Sequence, residues 1–115
     1  MTVSGAPRGV AGAFEPGSVA VLQACERLEQ ERRARAAQLV LVEREVDIGS
    51  DEAAGRRDML RRTLAEIEAA LARVNTGTYG ICQDCREPIA HDRLEILPYA
   101  RCCVPCQHRR QPTER

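Results

Sequence analysis

The sequence predicts a mainly α fold, an antiparallel coiled-coil helical hairpin with a small four-cysteine module at its base. Two stretches rich in Ala, Leu, Glu and Arg, residues 19–46 and 51–75, are long enough for extended helices. A four-residue break, Asp47-Ile48-Gly49-Ser50, separates them. Downstream stand two C-x-x-C pairs, arranged as Cys82-x2-Cys85-x17-Cys103-x2-Cys106.

Residues 1–18 are rich in Gly, Ala and Pro and read as a flexible arm. Ser18 is suited to cap the helix that follows. From Val19 to Val46 there is neither Gly nor Pro, and apolar residues recur at Val21, Cys25, Leu28, Leu39, Val42 and Val46. Arg32 and Arg35 interrupt the stripe in its middle, where Ala36 carries part of it. Gly49 suits the position just past a helix end, where a positive φ is common. Ser50 suits the next N-cap, and Asp51 and Glu52 complement the positive end of a helix dipole. The second helix spans Asp51–Asn75, with a seam at Leu60, Leu64, Ile67, Leu71 and Val74, spaced in heptad fashion. Gly55 is a soft point near its start, and Gly77 ends it. Helices joined by so short a break fold back on one another. At 1.5 Å per residue the hairpin is roughly 37–42 Å long. The expected organisation is a hairpin over 19–76 with its tip at 47–52, a cysteine module over 77–108, and a mobile tail over 109–115.

Composition narrows the function. Hydrophobic residues make up 43 % of the 115, but Phe14, Tyr79 and Tyr99 are the only aromatics. So short a chain with so few rings does not fill a conventional globular core. Formal net charge is zero, with 17 basic and 17 acidic residues and no evident basic stripe, which disfavours nucleic acid as the primary partner. No stretch approaches the roughly 20 apolar residues that cross a bilayer. The first twenty residues hold no apolar core of a secretory leader. A cytoplasmic setting with reduced thiols is therefore expected, which favours metal over a disulfide framework. No Ser/His/Asp set, phosphate loop or open metal site is legible, so an enzyme is not expected.

Four thiolates satisfy zinc, which imposes no geometry of its own and accepts a tetrahedron. A C-x-x-C knuckle supplies two neighbouring corners from one turn, and a second knuckle about 15–20 residues on closes the shell. Cys82, Cys85, Cys103 and Cys106 meet this rule, which makes the module a zinc finger. Gly80, just ahead of Cys82, fits the turn. Cys102 is the weaker choice for the second pair because it leaves a three-residue gap. Four sulfurs leave no open position, so one structural ion per chain is expected. An iron–sulfur cluster takes the same ligands, and a thiol–disulfide centre would need one isolated pair in another context. Cys25 reads as a small core residue, Cys102 as a bystander, and His91 and His108 as surface residues able in principle to replace a thiolate.

The segment GTYGICQDCREPIAHDRLEILPYARCCVPCQ, residues 77–107, resembles the DksA/TraR family of bacterial transcription factors. The residues that carry the likeness are Gly77, Tyr79, Gly80, Cys82, Cys85, Ile89, Arg93, Leu94, Glu95, Pro98, Ala100, Cys103 and Cys106. Residues 64–74, LAEIEAALARV, are similar to the second coiled-coil helix of that family. The resemblance implies that the hairpin enters the secondary channel of RNA polymerase. The tip would approach the catalytic center, and the zinc module would rest on the rim. It also implies modulation of initiation, usually together with ppGpp. The tip pattern of the family is D-x-x-D-x-A. Asp51 and Ala53 match its last two elements, Ile48 stands at the first, and Asp47 precedes it by one. Asp47, Asp51, Glu52 and Ala53 are thus the polymerase-facing residues that the resemblance implies.

Two other readings remain. One is a zinc-stabilised coiled-coil adaptor for another protein. The other is a GATA-like DNA-binding finger, which shares the cysteine spacing. Residues 77–115 carry six Arg against five acids, a net of +1 that neutralises little phosphate, so sequence-specific DNA binding is not expected.

Overall fold

The computed structural model describes Phe14, Glu15 and residues 17–110. Helix α1 spans Val19–Asp47 and helix α2 spans Asp51–Thr76. Ser18 caps α1, its Oγ accepting from Val21 N, and Ser50 caps α2, its Oγ accepting from Ala53 N at 3.1 Å. Gly77 closes α2 at φ 79°, a left-handed conformation that costs glycine little. Between the helices, Gly49 turns at φ 96°, and its N–H donates to Val46 O at 2.9 Å.

The two helices pack against each other along the predicted stripes, but the depth of burial is uneven. In α1, Val21 and Leu28 are buried, while Cys25, Leu39, Val42 and Val46 are only partly covered. In α2, Ile67 is the one fully buried member of the predicted seam; Leu60, Leu64, Leu71 and Val74 are half-buried. A two-helix hairpin has one covered side, so seam residues at its edges keep contact with water. Ala53, Ala70 and Arg73 lie deeper than the stripe implied. Mid-hairpin, the seam turns polar: Arg32 pairs with Glu29 at 2.6 Å and Arg35 with Glu31 at 3.1 Å. Arg56–Glu45 and Arg61–Glu43 pair across the helices toward the tip.

The main core forms where the hairpin base meets the cysteine module. Leu28, Ile67 and Ala70 from the hairpin join Tyr79, Cys82, Ile89, Leu94, Ala100, Cys102 and Cys106. Two short helices shape the module, α3 (His91–Ile96) and α4 (Val104–Arg110). Arg109 and Arg110, expected to begin the mobile tail, form the last turn of α4. Residues 111–115 lie outside the described residues, as do 1–13 and 16 of the expected arm. Phe14, placed in that arm, is not free. Its ring meets Tyr79 edge-on at 5.4 Å and stacks on His91 at 5.5 Å.

Candidate metal centre and acidic tip

The first knuckle is built on a turn that Gly80 opens at φ 87°. Ile81 and Pro88 form an antiparallel bridge, and Ile89 N donates to Gly80 O at 2.8 Å. Cys82 N donates to Glu87 O at 2.8 Å and Arg86 N to Cys82 O at 2.9 Å, which bends residues 82–87 into a tight loop. Arg86 closes it at φ 67°, in the left-handed region that non-glycine residues seldom visit. The second knuckle runs into α4. Gln83 N donates to Arg101 O at 2.9 Å, and so joins the two knuckles through the backbone.

This framework gathers Cys82, Cys85, Cys103 and Cys106, whose sulfur atoms all lie within 4.8 Å of one another. Sulfurs at the corners of a tetrahedron around zinc, each ~2.3 Å from the metal, stand about 3.8 Å apart. Cys85 and Cys103 are separated by 3.8 Å. The four cysteines are therefore positioned to bind one metal ion. Burial opposes ionisation of the Cys82 thiol, but hydrogen bonds from backbone N–H groups of Cys85, Cys103 and Asp84 outweigh it and bring its pKa down to about 6. Burial pushes Cys106 up to about 12, and its thiol neighbours add to that rise. A dication among the sulfurs reverses such resistance, since a coordinating thiol is deprotonated outright.

The remaining candidates fall elsewhere. Cys102 is buried beside the centre but turns its sulfur to Asp84 Oδ2 at 3.7 Å. Its thiol is pushed up by burial, then by the nearby Asp84 charge. His91 Nε2 pairs with Glu95 Oε2 at 3.0 Å, and its ring lies against Phe14. His108 is exposed on α4, and Cys25 is half-covered on α1.

Three contacts are not legible in the sequence: one fixes the module to the hairpin, and two brace the module internally. Arg73 is buried, and its Nη2 donates to Ala100 O at 3.4 Å; desolvation lowers its pKa. Tyr79 is 3 % exposed, and its hydroxyl donates to Pro98 O at 2.7 Å. Burial raises that phenol to about 12, against the pull of Arg73 and Arg27. Arg93 Nε donates to Cys102 O at 3.0 Å.

At the far end of the hairpin, Asp47, Asp51 and Glu52 are exposed and Ile48 is 85 % exposed. Among the described residues, the ion pairs across the hairpin engage Glu43 and Glu45, and none engages these three acids. Ala53 is fully buried, so it meets no partner through its own surface. The structure thus gathers Asp47, Asp51 and Glu52 around one turn and sets Ala53 beneath them.

Residues 77–112 match the family described as the prokaryotic dksA/traR C4-type zinc finger, which makes this a four-cysteine zinc site. The RNA polymerase-binding transcription factor DksA of Caulobacter vibrioides is 42 % identical over 59 residues, 51 % of this chain and 42 % of that protein. General stress protein 16O of Bacillus subtilis is 39 % identical over 51 residues, 44 % of this chain and 31 % of that protein. The matches thus span less than half the length of these relatives. The structure of transcription factor DksA2 from Pseudomonas aeruginosa covers 91 % of this chain and 95 % of its own, with a TM-score of 0.69 and 23 % identity, a likeness of fold.

Proposed function

We propose that this chain, whose residues 77–112 carry a zinc finger of the DksA/TraR type, is a transcription regulator that binds RNA polymerase through the secondary channel. The observation that carries this reading is the exposed acidic tip, Asp47, Asp51 and Glu52, at the end of a hairpin of 29- and 26-residue helices. At 1.5 Å per residue the hairpin is about 40 Å long, enough to hold a carboxylate far from the module that anchors it. A helix start gains roughly 0.3–1 kcal/mol from each nearby acid, which accounts for one or two acids but not for Asp47 at the C-terminal end of α1.

In this reading the zinc module rests on the channel rim and the hairpin flank supplies contact area. Asp51, with Asp47 and Glu52 beside it, brings negative charge toward the catalytic center and so alters initiation. Zinc, bound by Cys82, Cys85, Cys103 and Cys106, cross-links the two knuckles and holds the base in one orientation. Tyr79, Arg73 and Ile67 then transmit that orientation to the hairpin. Ala53 lets the helices close tightly under the tip. The channel reading also makes ppGpp a candidate co-effector, testable by adding it to the same assay.

The test is binding of the zinc-loaded chain to core RNA polymerase, with a photo-crosslinker at Ile48. Saturable binding with crosslinks near the catalytic center is expected. Binding with crosslinks confined to the outer surface would refute the channel placement. Absence of binding would favour a zinc-stabilised adaptor for another protein. A salt-dependent shift of bare duplex would favour a DNA-binding finger.

A further inference from the structure

The last turn of α4 meets the metal centre on two sides. Arg109 Nη2 lies 3.0 Å from Cys106 Sγ. Next to it, Arg110 forks onto Asp84, with Nε to Oδ2 at 2.8 Å and Nη2 to Oδ1 at 2.7 Å. Asp84 sits inside the first knuckle, between Cys82 and Cys85, and accepts a further contact from the Cys102 thiol at 3.7 Å. One helix end therefore touches a sulfur of the second knuckle and a carboxylate of the first.

The charges give this contact a purpose. Four thiolates around a zinc dication form a dianionic centre, and Asp84 adds another negative charge beside it. Arg109 places a positive charge and an N–H donor on one sulfur, and Arg110 cancels Asp84. The fork is bidentate, the strong form of such a pair, and spans 26 residues of sequence. The Arg110–Asp84 fork ties the end of α4, which carries Cys106, to the knuckle that carries Cys82 and Cys85, so parting the two knuckles would break it.

We propose that Arg109 and the Arg110–Asp84 pair are positioning residues for the zinc centre. Arg109 stabilises the Cys106 thiolate through an N–H···S hydrogen bond, and Arg110 straps α4 to the first knuckle so that the metal is retained. The proposal rests on the four-cysteine zinc site described above and does not depend on polymerase binding. Groups that orient metal ligands act with known strength, since their loss typically costs about 10–100-fold in metal affinity.

The test is zinc affinity and zinc release to a chromophoric chelator, measured on the full chain. The variants are Arg109→Gln, Arg109→Lys, Arg110→Gln and Asp84→Asn, with Arg62→Gln on the exposed face of α2 as control. The cobalt-substituted form supplies a second readout, the sulfur-to-cobalt charge-transfer band. Arg109→Gln is expected to weaken zinc by about 10–100-fold and to move the band to longer wavelength, because a sulfur without its donor gives up charge more readily. Arg109→Lys should recover part of both effects. Arg110→Gln should speed release without moving the band, and Arg62→Gln should match wild type. Arg109→Gln with wild-type affinity, or with weaker affinity and an unchanged band, overturns the direct role of Arg109. Arg110→Gln with wild-type release overturns the strap. A wild-type chain that takes up no zinc overturns the metal centre itself, and this inference with it.

Discussion

Replacing Ile67 by alanine tests whether the hairpin and the cysteine module share one core. Ile67 is fully buried and belongs to the cluster that includes Leu28, Tyr79, Leu94 and Cys106. The change removes three carbons, each worth ~0.8 kcal/mol when buried, or about 2.4 kcal/mol of transfer energy. A cavity term adds to this where the surroundings do not collapse, within the usual range of about 2–5 kcal/mol. A loss of about 3 kcal/mol is therefore expected. Leu71 is half-buried at the edge of the same cluster. Its truncation should cost about half as much, near 1.5 kcal/mol on the same scale. For a domain of this size each kcal/mol moves the midpoint by roughly 4–8 °C. Ile67→Ala should thus melt about 12–24 °C lower, and Leu71→Ala about half that. The assay is thermal unfolding of the zinc-loaded chain by far-ultraviolet circular dichroism. Equal shifts for the two variants, or a shift within noise for Ile67→Ala, would refute the shared core.

Other substitutions separate the remaining contributions. Cys82→Ser, Cys85→Ser, Cys103→Ser and Cys106→Ser should each lose zinc by metal analysis, while Cys25→Ser and Cys102→Ser should retain it. Full occupancy in Cys103→Ser with loss in Cys102→Ser would reassign the second knuckle. Tyr79→Phe leaves the buried Pro98 carbonyl without its donor and should cost about 1–3 kcal/mol in denaturant unfolding. The same phenol predicts an alkaline limit. Its folded pKa is raised from 10.0 to about 12, so the neutral form is favoured on folding. Its contribution is full below pH 10.0 and is lost as pH rises through about 12. Tyr79→Phe should flatten that part of the stability profile. Gly80→Ala forces a Cβ to 3.2 Å from Phe14 at a φ of 87°, and should lower the melting temperature more than Gly55→Ala, where an added Cβ meets nothing within 4 Å beyond its neighbours and its own helix backbone and a helix gains.

The ends of the long helices were legible because local chemistry fixes them. Ser18, Ser50 and Gly77 each do what their side chain, or its absence, favours, and the structure places caps at all three. The cysteine cluster was legible from spacing, since a knuckle is a local turn and two of them suffice for a tetrahedron. Burial depth was not. A heptad stripe marks a face without saying what covers it, and Leu64 and Ile67 look alike in sequence. Only the docked module distinguishes them, by covering Ile67 and leaving Leu64 at the edge. Arg73 sits within a polar-looking pattern, and its burial depends on a carbonyl 27 residues away. The Arg110–Asp84 fork and the packing of Phe14 on Tyr79 and His91 likewise join segments far apart in sequence. In a Gly- and Ala-rich arm, the lone Phe14 is the one sequence sign of an anchoring ring. At the tip, the acids were legible as residues, but the burial of Ala53 follows from the close approach of the two helices.

The lifetime of open promoter complexes, measured with wild type and Asp51→Asn at matched polymerase occupancy, tests the proposed role of the tip most directly. Asp51 is exposed in the first turn of α2, beyond the Ser50 cap, so the substitution removes a charge with little change of shape. Wild type should alter the half-life. Asp51→Asn should fold, retain zinc and bind polymerase nearly as well, yet leave the half-life close to that of polymerase alone. Asp47→Asn should have a smaller effect. An Asp51→Asn chain that regulates like wild type would contradict a tip that acts through its charge.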